Sequence, residues 1–213
     1  MVFDVEEHLG AVERSVVALE RDGRSARAIT LSRGFPTTVE DLWDAVTSGE
    51  RIPRWFLPIR GELEPGGRFQ FEGNAGGEIT ACEPPARVAL TWEWGGDVSW
   101  VELRISDDGA GGARLVLTHT ALLSDHWHEF GPGATGTGWE GGLVGLAMHI
   151  AQPAAPKPDE AAFAASRDGK AFYTGSSAAW GEAAVAAGTD PDTARAAARR
   201  TAAFYTGEPA EPA

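Results

Sequence analysis

The first apolar residues of the chain fall at Val5, Leu9, Val12, Val16 and Leu19, steps of four, three, four and three that predict one stripe of an α-helix. Asp4 with Glu7 forms a capping pair at its start, and Asp22-Gly23 reads as its stop. From Arg24 to Arg33 the period shortens to two: Ala26 and Ala28 face one way, Arg27, Ile29 and Leu31 the other, which predicts a strand. Thr37-Thr38-Val39-Glu40 then opens a second helix carrying Val39, Leu42, Trp43 and Val46, ended by Gly49 and Pro53.

Beyond residue 59 the punctuation becomes that of a β-meander. Gly66-Gly67, Gly76-Gly77, Pro84-Pro85, Gly95-Gly96 and Asp108-Gly109 separate short alternating runs at 59–64, 68–73, 78–83, 87–94, 98–106 and 113–121. Links this short join antiparallel neighbours. Phe69 and Phe71 share a face, as do Val88, Leu90, Trp92 and Trp94, then Val101, Leu103 and Ile105, then Leu115, Leu117 and His119. A glycine-rich loop (Gly131, Gly133, Gly136, Gly138) leads to a helix predicted over 139–152, with Trp139, Leu143, Leu146 and Ile150 in one stripe. Its Gly141, Gly142 and Gly145 lower helix propensity by nearly ~1 kcal/mol each, which predicts close packing against a sheet. An antiparallel sheet with one heavily apolar face needs a cover, and this helix is the natural one. The sheet is expected to curl around it. One helix cannot fill the concavity of six or seven strands, so the remaining space is either plugged by rings or open as a pocket.

Composition narrows the function. With 18 Lys+Arg against 31 Asp+Glu, the formal net charge of −13 repels phosphate backbones and anionic lipid, which argues against nucleic-acid and membrane-surface partners. No apolar stretch approaches the ~18 residues that cross a bilayer. The single cysteine, Cys82, cannot form an internal bridge, and the acidic opening residues are unlike a secretory signal. The expectation is a cytoplasmic protein. At 213 residues the chain can bury roughly 70% of the surface it exposes when unfolded, enough to need no structural metal and to spare an internal cavity.

The ordered residues of this first part closely resemble the bacterial START-like proteins of the SRPBCC superfamily, in the branch named for homology to the C-terminal domain of the heat-shock-protein-90 ATPase activator. The resemblance runs over about 1–152. It is carried by Ser32-Arg33, Trp43-Asp44-Ala45, Trp55-Phe56-Leu57-Pro58, Gly66-Gly67-Arg68-Phe69, Gly77-Glu78-Ile79, Glu83-Pro84-Pro85, Thr91-Trp92-Glu93, Leu115 with Leu117-Thr118-His119, and Gly138-Trp139-Glu140 with Leu143. It implies an α+β helix-grip fold, like that of the birch-pollen allergen, with a curved antiparallel sheet wrapped around a long C-terminal helix. It also implies binding of a hydrophobic small molecule between the two. Some relatives are cyclases or dehydratases, but no fixed catalytic motif carries over, and no cofactor is implied.

Candidate site residues follow from the inner-face pattern. Trp55, Phe56, Phe69, Phe71, Trp92, Trp94, Trp127 and Trp139 supply large rigid apolar contacts, with Leu103, Leu143 and Leu146 beside them. His119, in phase with Leu115 and Leu117, brings an imidazole to the same face. It is the one candidate catalytic residue, as general acid or base, and otherwise orients a ligand or is a satisfied core histidine. A carboxylate, Glu78 or Glu93, converging with it would mark a cyclase-, dehydratase- or hydrolase-type enzyme; a dry aromatic cavity would mark simple binding; a large exposed patch without a cavity would mark a protein-interaction module resembling the chaperone activator. His126 and His128 have a spacing that puts both on one side of an extended segment, but no further ligand accompanies them, and no metal site is predicted. Gly73-Asn74-Ala75-Gly76-Gly77 lacks the helix and Lys-Ser/Thr of a phosphate loop and reads as a hairpin turn.

A proline-rich linker at 153–158 divides this domain from a tail at 159–213. Seven of the eight tryptophans precede the linker, whereas 21 of the last 60 residues are alanine. Phe172-Tyr173-Thr174-Gly175 and Phe204-Tyr205-Thr206-Gly207 echo one another, and each glycine reads as a helix stop. Ser176-Ser177 and Asp190-Pro191 read as helix starts. Three short helices are expected, docking through Phe163, Phe172, Trp180, Phe204 and Tyr205 onto the main domain or, in a homodimer, a second subunit.

Overall fold

The computed structural model describes residues 3–208. A short helix α1 (Val5–Gly10) leads into strands β1 (Val12–Arg21) and β2 (Arg24–Phe35), then helix α2 (Val39–Thr47) and a 3₁₀ turn at Ile52–Arg54. Six strands follow: β3 (Ile59–Gly61), β4 (Arg68–Phe71), β5 (Gly76–Glu83), β6 (Arg87–Trp94), β7 (Asp97–Asp107) and β8 (Ala113–Leu122). Helices α3 (Asp125–Phe130), α4 (Gly133–Ala151), α5 (Glu160–Ala165), α6 (Arg167–Ala186) and α7 (Pro191–Thr206) complete the chain. The strands form one curved antiparallel sheet in the order β1-β2-β8-β7-β6-β5-β4-β3, and with the long helix α4 this is an α+β fold of the helix-grip type.

The long first helix predicted from the 4-3-4-3 spacing is corrected. It ends at Gly10, and Val12–Arg21 is a strand. Asp22 and Gly23 both have positive φ (52° and 72°), as the two central residues of a tight hairpin turn require. Asp-Gly therefore joins two strands and does not stop a helix. The β-branched Val12, Val16 and Val17 suit the pleat better than the helix.

Contacts divide the chain into two compact units. One comprises 32–121 and 144–157. Here α2 begins at Thr38, whose hydroxyl accepts from the Asp41 amide at 3.2 Å. The register pairs Trp92 with Ser99, Leu90 with Val101, Val88 with Leu103, Val101 with His119 and Leu103 with Leu117. Paired residues of an antiparallel ladder point to the same side, so these form one inner face. An irregularity between Ile79 and Ala81 lets Ile79 (opposite Leu90) and Cys82 (opposite Val88) both reach that face although they are three residues apart. Gly76 and Gly77 lie within β5 and not in the turn; a Cβ on Gly77 would collide with the Thr91 carbonyl oxygen.

The other unit comprises the described residues of 1–31, 122–143 and 158–213. Helix α4 starts at Gly133, six residues before the predicted start, so Gly133, Gly136 and Gly138, expected in a loop, are helical. Those in its first half are met by helices: a Cβ on Gly133 would sit 2.8 Å from Thr201 Oγ1, on Gly136 2.5 Å from Trp180 Nε1, and on Gly138 2.6 Å from the Tyr205 hydroxyl. The close approach that the glycines predicted is thus made by α6 and α7 at these positions. Helix α6 runs unbroken through Gly175, where a Cβ would lie 2.5 Å from Leu9 Cδ1, and Ser176 and Ser177 are buried within the helix instead of capping one. The expected caps at Asp190 and Gly207 (φ 68°) are present. The echoed tetrapeptides place Tyr173 and Tyr205 side by side, with ring centroids 5.1 Å apart and an interplanar angle of 13°. Glu140, its side chain fully buried, takes a two-pronged ion pair from Arg14 at 2.6 and 2.7 Å.

Candidate functional site

The inner face of the first-described unit carries a chain of touching rings. Trp55 meets Phe56 (5.5 Å between centroids), Phe56 meets Phe71 edge-on (5.1 Å, 89°), Phe71 meets Trp92 (5.6 Å), and Trp92 meets His119 (6.2 Å); Phe69 branches from Phe71 at 5.4 Å. Edge-on and tilted rings at these distances are favourable beyond their buried area. Trp55 is held at the end of this chain by its indole N–H, which donates to the Ala45 carbonyl at 2.8 Å. Its own carbonyl lies so near Gly145 of α4 that any side chain there would collide.

Burial is uneven along this face. Phe69, Phe71, Ile79 and Val88 are sealed, while Phe56, Leu90, Trp92 and Leu103 pack against them and remain half-buried. Trp94, at the end of β6, is 59% exposed. Leu146 is fully buried in the second half of α4. The remaining candidates belong to the other unit: Leu143 is buried near the middle of α4, and Trp139 (α4) and Trp127 (α3) are half-buried.

His119 is buried, and loss of solvation lowers its pKa from 6.5 to about 4, so the ring is neutral at pH 7. Its Nε2 lies 2.8 Å from Ser99 Oγ. Ser99 gives its one hydroxyl proton to the Trp92 carbonyl at 3.1 Å. Ser99 was absent from the sequence-derived set, though it stands two residues before Val101 in the inner-face alternation.

The carboxylates considered as partners for His119 lie elsewhere. Glu93 pairs with Val98 and Arg68 with Glu78 in the ladders, positions that point to the outer face. There Arg68 contacts Glu93 at 2.6 Å, and this hydrogen bond and charge hold the Glu93 carboxyl below the usual range. Arg87, Glu102, Arg104 and Glu83 make a second outer-face network. Among the described residues no three His, Cys, Asp or Glu side chains are grouped to hold a metal ion. His126 and His128 lie on the helix α3, where a two-residue step turns side chains about 200° apart, so the extended spacing does not apply.

A second polar cluster joins α2, the 3₁₀ turn and α4. Arg51 binds Asp41 at 2.7 Å and Asp44 at 3.1 Å and donates from Nε to His149 Nε2 at 3.3 Å. Burial, followed by the charges of Arg51 and Arg54, lowers the His149 pKa.

Curved sheet, long helix and ring-lined inner face define a START-like protein of the SRPBCC superfamily. The model for "Activator of Hsp90 ATPase homolog 1-like protein" matches residues 36–150, more than half of the chain, and the protein belongs to this family. It is also similar to CalU16 from Micromonospora echinospora. The crystal structure of CalU16 is 35% identical over 67% of this chain and 88% of that one, with a TM-score of 0.59. Its solution structure is 29% identical over 92% and 94%, with a TM-score of 0.63. DynU16, from the dynemicin biosynthetic locus, shares the fold alone: 20% identity over 62% of this chain and 49% of that one, TM-score 0.51. No curated protein matches the chain. Among the described residues no helix is long and apolar enough to cross a membrane.

Proposed function

We propose that this protein binds a small hydrophobic or aromatic molecule in the cytoplasm, held between the inner face of the sheet and the second half of α4 in a START-like domain of about 1–152. Proteins of this fold commonly bind hydrophobic ligands. The observation that carries the reading is the half-burial of Phe56, Leu90, Trp92 and Leu103 on a face whose neighbours are sealed. Apolar side chains that stay accessible next to a closed core are a contact surface for a guest. The proposed contacts are those four with Trp55, backed by the sealed Phe69, Phe71, Leu146 and His119. Trp127, Trp139 and Leu143 belong to the other unit and rest on the sequence pattern.

Binding is preferred over catalysis because His119 is neutral and weakly basic, and Glu78 and Glu93 point to the opposite face. Native mass spectrometry of freshly purified protein tests the reading. A retained small-molecule adduct is expected, reduced at least about tenfold in Trp92→Ala, since a central aromatic contact typically carries that much affinity. A wild-type protein without adduct that also takes up no aromatic probe would sink it.

A further inference from the structure

We propose that the outer edge of β1 docks a second copy of this chain. The two β1 strands pair antiparallel about a two-fold axis at Val17 and join the two sheets into one. Strand β1 stands first in the sheet order and has a strand neighbour, β2, on one side alone. It is ten residues long, nearly twice the usual strand. Glu13, Ser15, Val17, Ala18 and Glu20 are exposed, Val17 at 54%. Among the described residues, no loop or helix backbone hydrogen-bonds to residues 15–20. An edge this long and this open is a template for a further strand unless its side chains forbid the pairing.

Here the side chains favour it and set the register. Read backwards, the segment 13–21 carries the opposite sign at every charged position: Glu13 and Arg14 at one end, Glu20 and Arg21 at the other. A two-fold antiparallel pair centred on Val17 therefore sets Glu13 against Arg21 of the second copy and Arg14 against its Glu20, each contact occurring twice by symmetry. This register also overlaps the whole strand. An axis one residue to either side leaves no opposite-charge pair within it. Directly facing residues of a ladder interact, and opposite charges there stabilise where like charges destabilise. Between the charged ends, the apolar run from Val16 to Leu19 packs along the same run of the second copy. The charges keep their present contacts, Arg14 with Glu140 at 2.6 Å among them, and the facing residues add to these.

Sedimentation velocity of the full chain, over a dilution series reaching about 1 mM, tests the proposal. A single strand pairing makes a small interface, for which a dissociation constant on the order of 10–100 µM is expected. The associated species should have twice the 22.5 kDa mass of the chain. Val17→Lys changes an exposed side chain and sets lysine against lysine across the axis. It is expected to weaken association at least about tenfold with an unchanged circular dichroism spectrum. Glu20→Arg, which meets Arg14 of the second copy, should weaken it at least about threefold. Register is read by oxidation: Val17→Cys is expected to form a disulfide-linked dimer and Ser15→Cys is not, because only residue 17 faces itself. A chain that stays single throughout the series, a dimer indifferent to Val17→Lys, or equal cross-linking at 15 and 17 would overturn the proposal.

Discussion

Gly136 lies directly beneath the indole of Trp180, so that a single added methyl on the helix would come within 2.5 Å of the indole nitrogen. Trp180 is completely buried and has nowhere to retreat. Alanine in place of glycine ordinarily gains up to about 1 kcal/mol inside a helix. Here overpacking outweighs that gain, and Gly136→Ala is expected to destabilise the protein by about 1–3 kcal/mol net in urea denaturation followed by tryptophan fluorescence. Gly141→Ala is the comparison: its Cβ would stand 3.3 Å from the Tyr173 hydroxyl, a contact that a small shift relieves. It should stay within about 1 kcal/mol of the parent. A Gly136→Ala protein as stable as the parent would contradict this packing.

The Arg14–Glu140 pair yields a second expectation. With Glu140 fully buried and Arg14 also donating to the Val12 and Leu9 carbonyls, removal of one partner strands the other away from water. Glu140→Ala is expected to cost about 3–5 kcal/mol. The double change Arg14→Met with Glu140→Leu should recover more than half of that, because neither charge is then left unpaired. A double-mutant cycle by chemical denaturation measures the coupling, and additive losses would refute it.

Acid should weaken the fold before the carboxylates titrate. His119 has a pKa of about 4 in the folded protein against 6.5 for an ordinary histidine, so between these values the unfolded chain binds a proton that the native state refuses. Its contribution is fully present above pH 6.5 and is lost as pH falls toward 4, a change on the order of 3 kcal/mol. His149, also shifted downward, acts in the same direction. Denaturation midpoints measured from pH 7 to 4.5 should decline, and less steeply in His119→Asn. A flat profile for the parent would show that His119 is solvated.

Much of the architecture was legible from the period of the hydrophobic pattern. Strand β6 occupies the expected 87–94 and α2 begins at its expected threonine cap, because in both the local spacing, the punctuation and the buried face agree. The amino-terminal hairpin was misread where two signals conflicted. Val5 to Leu19 fits a helical stripe, but Asp22-Gly23 flanked by valine-rich sequence is also a hairpin signature, and tertiary pairing decided for the strand. Glycine misled in a different way. Gly136, Gly138 and Gly175 read as loop or stop residues, whereas each sits inside a helix at a point of close approach, and a residue chosen for its missing side chain leaves no trace of what fills the space.

At the candidate site, alternation placed Phe69, Phe71, Trp92, Leu103 and His119 on one face, as the ladder register has them. Which of these rings are sealed and which remain half-open depends on the curvature of the sheet, which no local pattern encodes. Ser99 escaped notice because a lone serine in a strand is usually a solvated one, and its importance comes from the histidine across the ladder.

Tyr205 offers its hydroxyl to the Ala134 carbonyl at 2.5 Å, over the bare backbone of Gly138. A helix start written with this much glycine is a poor helix in isolation, so its shape is borrowed from the residues that follow the linker. Trimming the chain to the span that its family shares would remove that external mould. The first turns of α4 would then be the segment to fray, and an experiment on the shortened protein would report on a different molecule.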